Sequence, residues 1–218
     1  MAVAGNAAIS TATPKFGTGA YLAGSGFNNG ISTAAAVGGV LDLGTGNFTI
    51  ECFFNSLSAN TNSQPILAMG THGTDGFELL VVNPSAVITA HVYISGVDFP
   101  ITHQTGVTKD VWHHLALVRN GNQFQLYLDG VGATVPSSSV ASIGVPTSAF
   151  YVGYKPGFGS SSCDNIDEVR VTKGVARYTA NFTPPTAAFQ DSGVSGLYAG
   201  NAFRMGIWQA LASPHIKR

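Results

Sequence analysis

Between Asp110 and Gly130 the chain reads DVWHHLALVRNGNQFQLYLDG, with apolar residues alternating on both sides of Asn120-Gly121. Period-two alternation around Asn-Gly predicts a tight β-hairpin. Leu115 and Leu117 share one face with His113, and Trp112, His114, Ala116 and Val118 share the other. Past the turn, Phe124, Leu126 and Leu128 alternate with Gln123, Gln125, Tyr127 and Asp129. Successive strand side chains point to opposite faces, so His113 and His114 do not converge on one ion. Paired zinc ligands on a strand would need His-x-His. The expectation is one histidine packed or hydrogen-bonded and the other solvated.

The same short period recurs along the chain. NFTIECFFN (47–55) places Phe48, Ile50, Cys52 and Phe54 on one face, and FELLVVN (77–83), AVITAHVYIS (86–95), SAFYVGYK (148–155) and IDEVRVTKG (166–174) read as further strands. No helical period appears between Gly17 and Lys173. With 27 glycines and 10 prolines supplying turns, this predicts an all-β fold, a two-sheet antiparallel jelly-roll sandwich. Pro184-Pro185 marks where regular pairing stops. Cys52, in an apolar strand, and Cys163, in a loop, are expected to be free thiols.

Composition narrows the functions. Charged residues are only 10% of the chain, against about 25% in an ordinary soluble protein. The net charge of −1 excludes a broad electrostatic claim on nucleic acid or anionic lipid. No apolar run approaches the ~18 residues that span a bilayer. MAVAGNAAISTATPKFG lacks the basic and apolar regions of a secretory signal. A weakly charged surface made without an export signal fits a virion component, released by lysis.

Catalysis is not expected. Asp167 and Glu168 are adjacent on a strand, so alternation would point them apart. The Glu-x-Asp-x-Glu triplet of sandwich-fold glucanases is missing, as are Gly-x-Ser-x-Gly, a phosphate loop and His-Glu-x-x-His. No cofactor is expected. Calcium is the one ion for which oxygens gather, at Asp164, Asn165 and Asp167 in CDNIDE. The favoured alternative is a turn shaped by Asp164 and Asn165, with Asp167 accepting backbone hydrogen bonds.

Residues 190–218 differ in texture from the body at 1–189. DSGVSGLYAGN is linker-like. AFRMGIWQALA then spaces Phe203, Ile207 and Leu211 four apart, with Met205 and Trp208 beside them, the pattern of a short amphipathic helix. Gly206 weakens that helix. So much apolar surface on a terminus predicts a docking tail.

DVWHHLALVRNGNQFQLYLDG, FGTGAYLAGSG, LGTGNFTIECFF and NIDEVRVTKGVARYTANFTPPT together resemble the concanavalin A-like, laminin-G-like jelly-roll family, from about residue 6 to residue 187. VTKGVARYTANFTPPT resembles the variant common in proteins of tailed bacteriophages. In place of the family's early Gly-Ser-Gly-Asp-Tyr-Leu stand Gly24-Ser-Gly26-Phe27-Asn28-Asn29, without the acid, so no site is carried over to that loop. The resemblance implies a non-enzymatic virion protein that decorates a capsid or forms part of a fibre or tail, with glycan adhesion as an added role. Its implied partners are capsid or fibre subunits, further copies of itself and a surface glycan, with no nucleic acid and no membrane. A free lectin-like module is the second reading, and a remnant glycosidase the third.

Overall fold

The structure is a computed structural model describing residues 1–23, 28–35, 37–57, 62–143, 149–157, 163 and 165–190, and the backbone of 202–204. The chain opens with the short strands β1 (Ala2–Ala4), β2 (Ala8–Ser10), β3 (Ala20–Leu22) and β4 (Gly30–Thr33). Longer ones follow: β5 (Phe48–Asn55), β6 (Gln64–Met69), β7 (Gly76–Val82), β8 (Val87–Ile94) and β9 (Val97–Gly106). Next come the hairpin strands β10 (Trp112–Asn120) and β11 (Gln123–Leu128), then β12 (Val131–Gly132), β13 (Ser137–Ser138) and β14 (Phe150–Val152). β15 (Asn165–Lys173) closes the body, and β16 (Ala202–Arg204) lies in the tail.

These strands form two antiparallel sheets. One runs β1-β4-β14-β6-β7-β8-β9 and the other β12-β11-β10-β5-β15-β3-β2, with β13 and β16 paired to β11 and β15. No helix occurs among the described residues, so none is long and apolar enough to cross a membrane. The predicted sandwich is the observed fold.

The core lies between the sheets. Phe48, Ile50, Cys52 and Phe54 of β5 meet Phe77, Leu79 and Val81 of β7 and Ala90 and Val92 of β8 in one cluster. Leu115, Leu117, Phe124, Leu126 and Leu128 complete it from the hairpin, on the faces that alternation assigned. Cys52 and Cys163 are buried free thiols. Arg119 is the one large cation among these inward positions. It closes the end of the sandwich by donating to the carbonyls of Gly121, Gly44 and Ser139 at 3.0, 3.1 and 2.9 Å.

The hairpin turn sits one residue later than the Asn-Gly pair suggested. Asn120 pairs with Gln123, so Gly121 and Asn122 are the two central residues. Gly121 has φ +58, and glycine at the first central position is the arrangement of a type II′ turn.

The tail also departs from expectation at its first apolar residue. Ala202, Phe203 and Arg204 pair with Thr172, Val171 and Arg170 of β15. Phe203 is thus in a strand, not a helix. The edge of β15 beyond β3, which pairs only at Asn165 and Ile166, offers free backbone groups, and a strand satisfies them where a helix would not.

Candidate functional site

The outward face of the sheet holding β5, β10 and β15 is covered. Residues 175–190 cross it as a strap, with Tyr178 and Phe182 stacked at 3.6 Å and packed on Ala116, Val118 and Tyr127. Gly130 lets the strap approach: a Cβ there would lie 1.8 Å from the Phe182 carbonyl oxygen. Beneath it Glu51 is fully buried. Its Oε2 accepts from Tyr178 at 2.8 Å and from His114 Nε2 at 3.2 Å, and its Oε1 faces Arg170 at 2.8 Å. Burial pushes the Glu51 carboxyl up, but the His114 hydrogen bond and the Arg170 charge outweigh it and hold the group below its ordinary value.

His114 was expected to be solvated if His113 was packed, and the structure corrects this. Both are buried, because the strap turns the outward face of β10 into a second interior. His113, facing Phe54, bonds through Nδ1 to Asp129 at 2.6 Å and through Nε2 to the Thr108 carbonyl at 3.0 Å. The two rings point to opposite faces, as alternation requires.

A second correction concerns Asp167 and Glu168. A bulge interrupts the β15–β5 register between Asp167 and Arg170, and Glu168 has φ +52. Both carboxylates therefore reach the strap side. Asp167 accepts the backbone N–H groups of Lys15, Phe16 and Glu168 at 3.1, 3.1 and 2.9 Å. Glu168 accepts that of Phe189 at 2.6 Å. Burial, with the Glu168 charge adding to it, raises the Asp167 carboxyl although those three donors oppose the rise. Its oxygens face backbone donors, the role given to Asp167 in the alternative to calcium. Asn165 pairs with Asn55, while Asp164 lies outside the described residues. Among the described residues no three His, Cys, Asp or Glu side chains gather around a common point.

The other outward face, on the seven-stranded sheet, carries a different assembly. Register aligns Ser32, Tyr151, Ala68, Glu78, His91 and Pro100 in one row across β4, β14, β6, β7, β8 and β9. Glu78 is at its centre, its side chain wholly buried although it points away from the core. Lys155 Nζ forms an ion pair with Glu78 Oε1 at 2.5 Å. His72 Nδ1 approaches both oxygens at 2.9 and 3.1 Å, and the Tyr93 hydroxyl donates to Oε2 at 3.4 Å. Burial and the Glu78 charge hold the Tyr93 phenol well above its ordinary value, keeping it a donor.

Around this buried ion pair the surface opens. The His72 side chain is 62% exposed. His91 stacks parallel to Tyr93, with centroids 5.9 Å apart, and bonds Asp98 at 2.8 Å. Tyr151 and Tyr154 form an edge-to-face pair at 5.3 Å. Tyr154 lies over Gly30, where a Cβ would come within 1.8 Å of the ring. Donors and acceptors of both signs beside aromatic faces suit a neutral ligand rich in hydroxyls better than an ion.

Comparison with known families matches residues 26–177 to the concanavalin A-like lectin/glucanases superfamily. The chain belongs to that family. Among solved structures it resembles domain 4 of AbnA, a GH43 extracellular arabinanase from Geobacillus stearothermophilus, in complex with arabinotriose. That match has a TM-score of 0.63 at 13% identity, covering 79% of this chain and 77% of that one. Domains LG4-5 of the mouse laminin alpha1 chain match with a TM-score of 0.55 at 16% identity, over 85% of this chain and 45% of that one. The enzymatically active domain of bacteriophage CBA120 tailspike protein 2 matches with a TM-score of 0.59 at 12% identity, over 78% and 28%. The chain thus spans under half the length of the latter two. A search of curated proteins finds no match.

Of the tail residues singled out in the sequence, Phe203 lies in β16, and Met205, Ile207, Trp208 and Leu211 lie outside the described residues. Glu51 and Glu78 were not singled out, yet each stands at the centre of a polar cluster. The signal was present: each is an isolated acid within an apolar strand, in a chain with only 11 carboxylates.

Proposed function

We propose that this protein is a non-enzymatic virion component of a tailed phage, decorating the capsid or forming part of a fibre or tail, and that it contacts host-surface glycans through the outward face of its seven-stranded sheet. The observation that carries the glycan reading is the Glu78 row. A buried carboxylate held by Lys155, His72 and Tyr93 on an outward sheet face does nothing for the core, yet it fixes polar groups beside the exposed His72 ring and the half-buried His91 and Tyr151 rings.

The likeness to a module recorded with arabinotriose and to a phage tailspike supports the same reading. In it the domain needs no cofactor, and the tail beyond residue 190 joins it to capsid or fibre subunits or to further copies of itself. A glycan array probed with the wild-type protein and with Glu78→Gln tests the binding half. Binding that survives the substitution unchanged would place the sugar elsewhere. Mass spectrometry of purified particles tests the virion half, and absence from them favours the free lectin-like module.

A further inference from the structure

A cleft of about 500 Å³ opens on the opposite side of the sandwich, where the end of the strap meets the start of β10. Lys15, Phe16, Trp112, Asp129, Thr183 and Thr186 line it. We infer that this cleft is a second, independent carbohydrate site, taking a neutral sugar ring against Trp112.

The cleft falls in the size range of small-molecule sites, ~300–1,000 Å³. Trp112 is half-buried, which gives it a fixed ring with a face left accessible. A pyranose or furanose presents C–H bonds that pack on such a ring, while its hydroxyls need donors and acceptors at the edge. Those stand in place. Asp129 binds the His114 N–H at 2.8 Å through one oxygen and His113 at 2.6 Å through the other, yet its side chain stays 47% exposed. Lys15 holds its ammonium 5.6 and 5.1 Å from the Phe16 and Phe53 ring centroids. Thr183 and Thr186 are exposed hydroxyls on either side of the stiff Pro184-Pro185 pair. One carboxylate and one ammonium at the same wall favour an uncharged ligand over an ion of either sign.

Trp112 and Glu78 lie on outward faces of different sheets, and stacked sheets are about 10 Å apart. One short oligosaccharide therefore cannot occupy both sites. The domain would hold two glycan chains at once and bridge them.

The test uses the full chain and a panel of neutral trisaccharides (arabinotriose, cellotriose and maltotriose), with sialyllactose as the charged control. The protein has two tryptophans, so its indole N–H signals are two, and Trp112→Phe assigns the one in the cleft. The expected result is a saturable shift of the Trp112 signal with at least one neutral trisaccharide, preserved in Glu78→Gln. Trp112→Ala is expected to weaken that binding by about tenfold or more, and Thr186→Val to weaken it without touching the ring, which keeps the test decisive should the alanine variant fail to fold. A Trp112 signal that no trisaccharide moves, or a shift abolished by Glu78→Gln, would overturn the second site. Array glycans lost in Glu78→Gln while the Trp112 response to its trisaccharide stays intact support two separate sites, and an intact Trp112 response with no array glycan lost sinks the Glu78 reading alone.

Discussion

The Tyr178 hydroxyl donates to Glu51 Oε2 at 2.8 Å, joining residues 127 positions apart in the chain. This bond fastens the strap to the sheet that it covers, and the strap makes the outward face of β5 and β10 a second, polar interior. Glu51→Gln would leave Arg170 facing a neutral amide in a buried site. Removing one member of a buried charge pair costs about 3–5 kcal/mol, so a large drop in melting temperature is expected, measured by calorimetry.

The same carboxylate sets an acid limit. Its folded value is depressed below the ordinary 4.5, so its stabilisation is complete above that value and is lost as pH falls through the folded one. Wild-type stability is therefore expected to decline below about pH 4.5, and Glu51→Gln to decline less steeply there. Parallel acid curves for the two proteins would assign the loss to other groups.

His113 works in the opposite sense. Burial lowers its imidazole value, but the Asp129 hydrogen bond and charge prevail and hold it above 6.5. A raised folded value gives stability that is full below the unfolded value and lost as pH rises through the folded one. Asp129→Asn is expected to bring the His113 titration down, read from its ring proton shifts, and to flatten the stability curve above the ordinary value of 6.5. An unchanged titration would mean that another group sets it.

Two glycines separate strain from contact. Gly121 has φ +58 and open space around it, so Gly121→Val costs only backbone strain, about 1–2 kcal/mol. Gly130 has φ +80, and its added Cβ would meet the Phe182 carbonyl. Gly130→Ala is expected to cost more and to lift the strap, seen as faster hydrogen exchange at the Phe182 amide, which bonds Gly130 O at 2.9 Å. Equal costs for the two would argue that the strap yields freely.

How much of this was legible depends on where the information lies. Alternation placed Leu115, Leu117, Phe124 and Leu126 in the core correctly, because a half-buried strand writes its burial into period two. It could not say what lies over the other face. The strap residues Tyr178 and Phe182 stand in a segment with no period, and their partner Glu51 is remote in sequence, so one histidine of the pair read as solvated. The bulge at Asp167 and Glu168 was invisible for a related reason: one extra residue breaks alternation without changing composition. Glu78 was readable only as an oddity, since Lys155 and His72 reach it from loops on either side.

The tail gives the last prediction. Strand β16 pairs with Arg170 to Thr172 along an edge of β15, while the strap ends earlier, at Phe189, whose N–H is held by Glu168. The bonds that fasten the strap, from Tyr178 to Glu51 and from Phe189 to Glu168, are made by residues before 191. Deleting residues 191–218 is expected to leave a folded, soluble body by circular dichroism, with faster amide exchange confined to the exposed edge at Arg170–Thr172. If the tail also joins the domain to a neighbour, the truncated body fails to enter particles while keeping its glycan binding. A truncated body that does not fold would make β16 part of the domain itself, and the apolar tail a closing strand with no docking role.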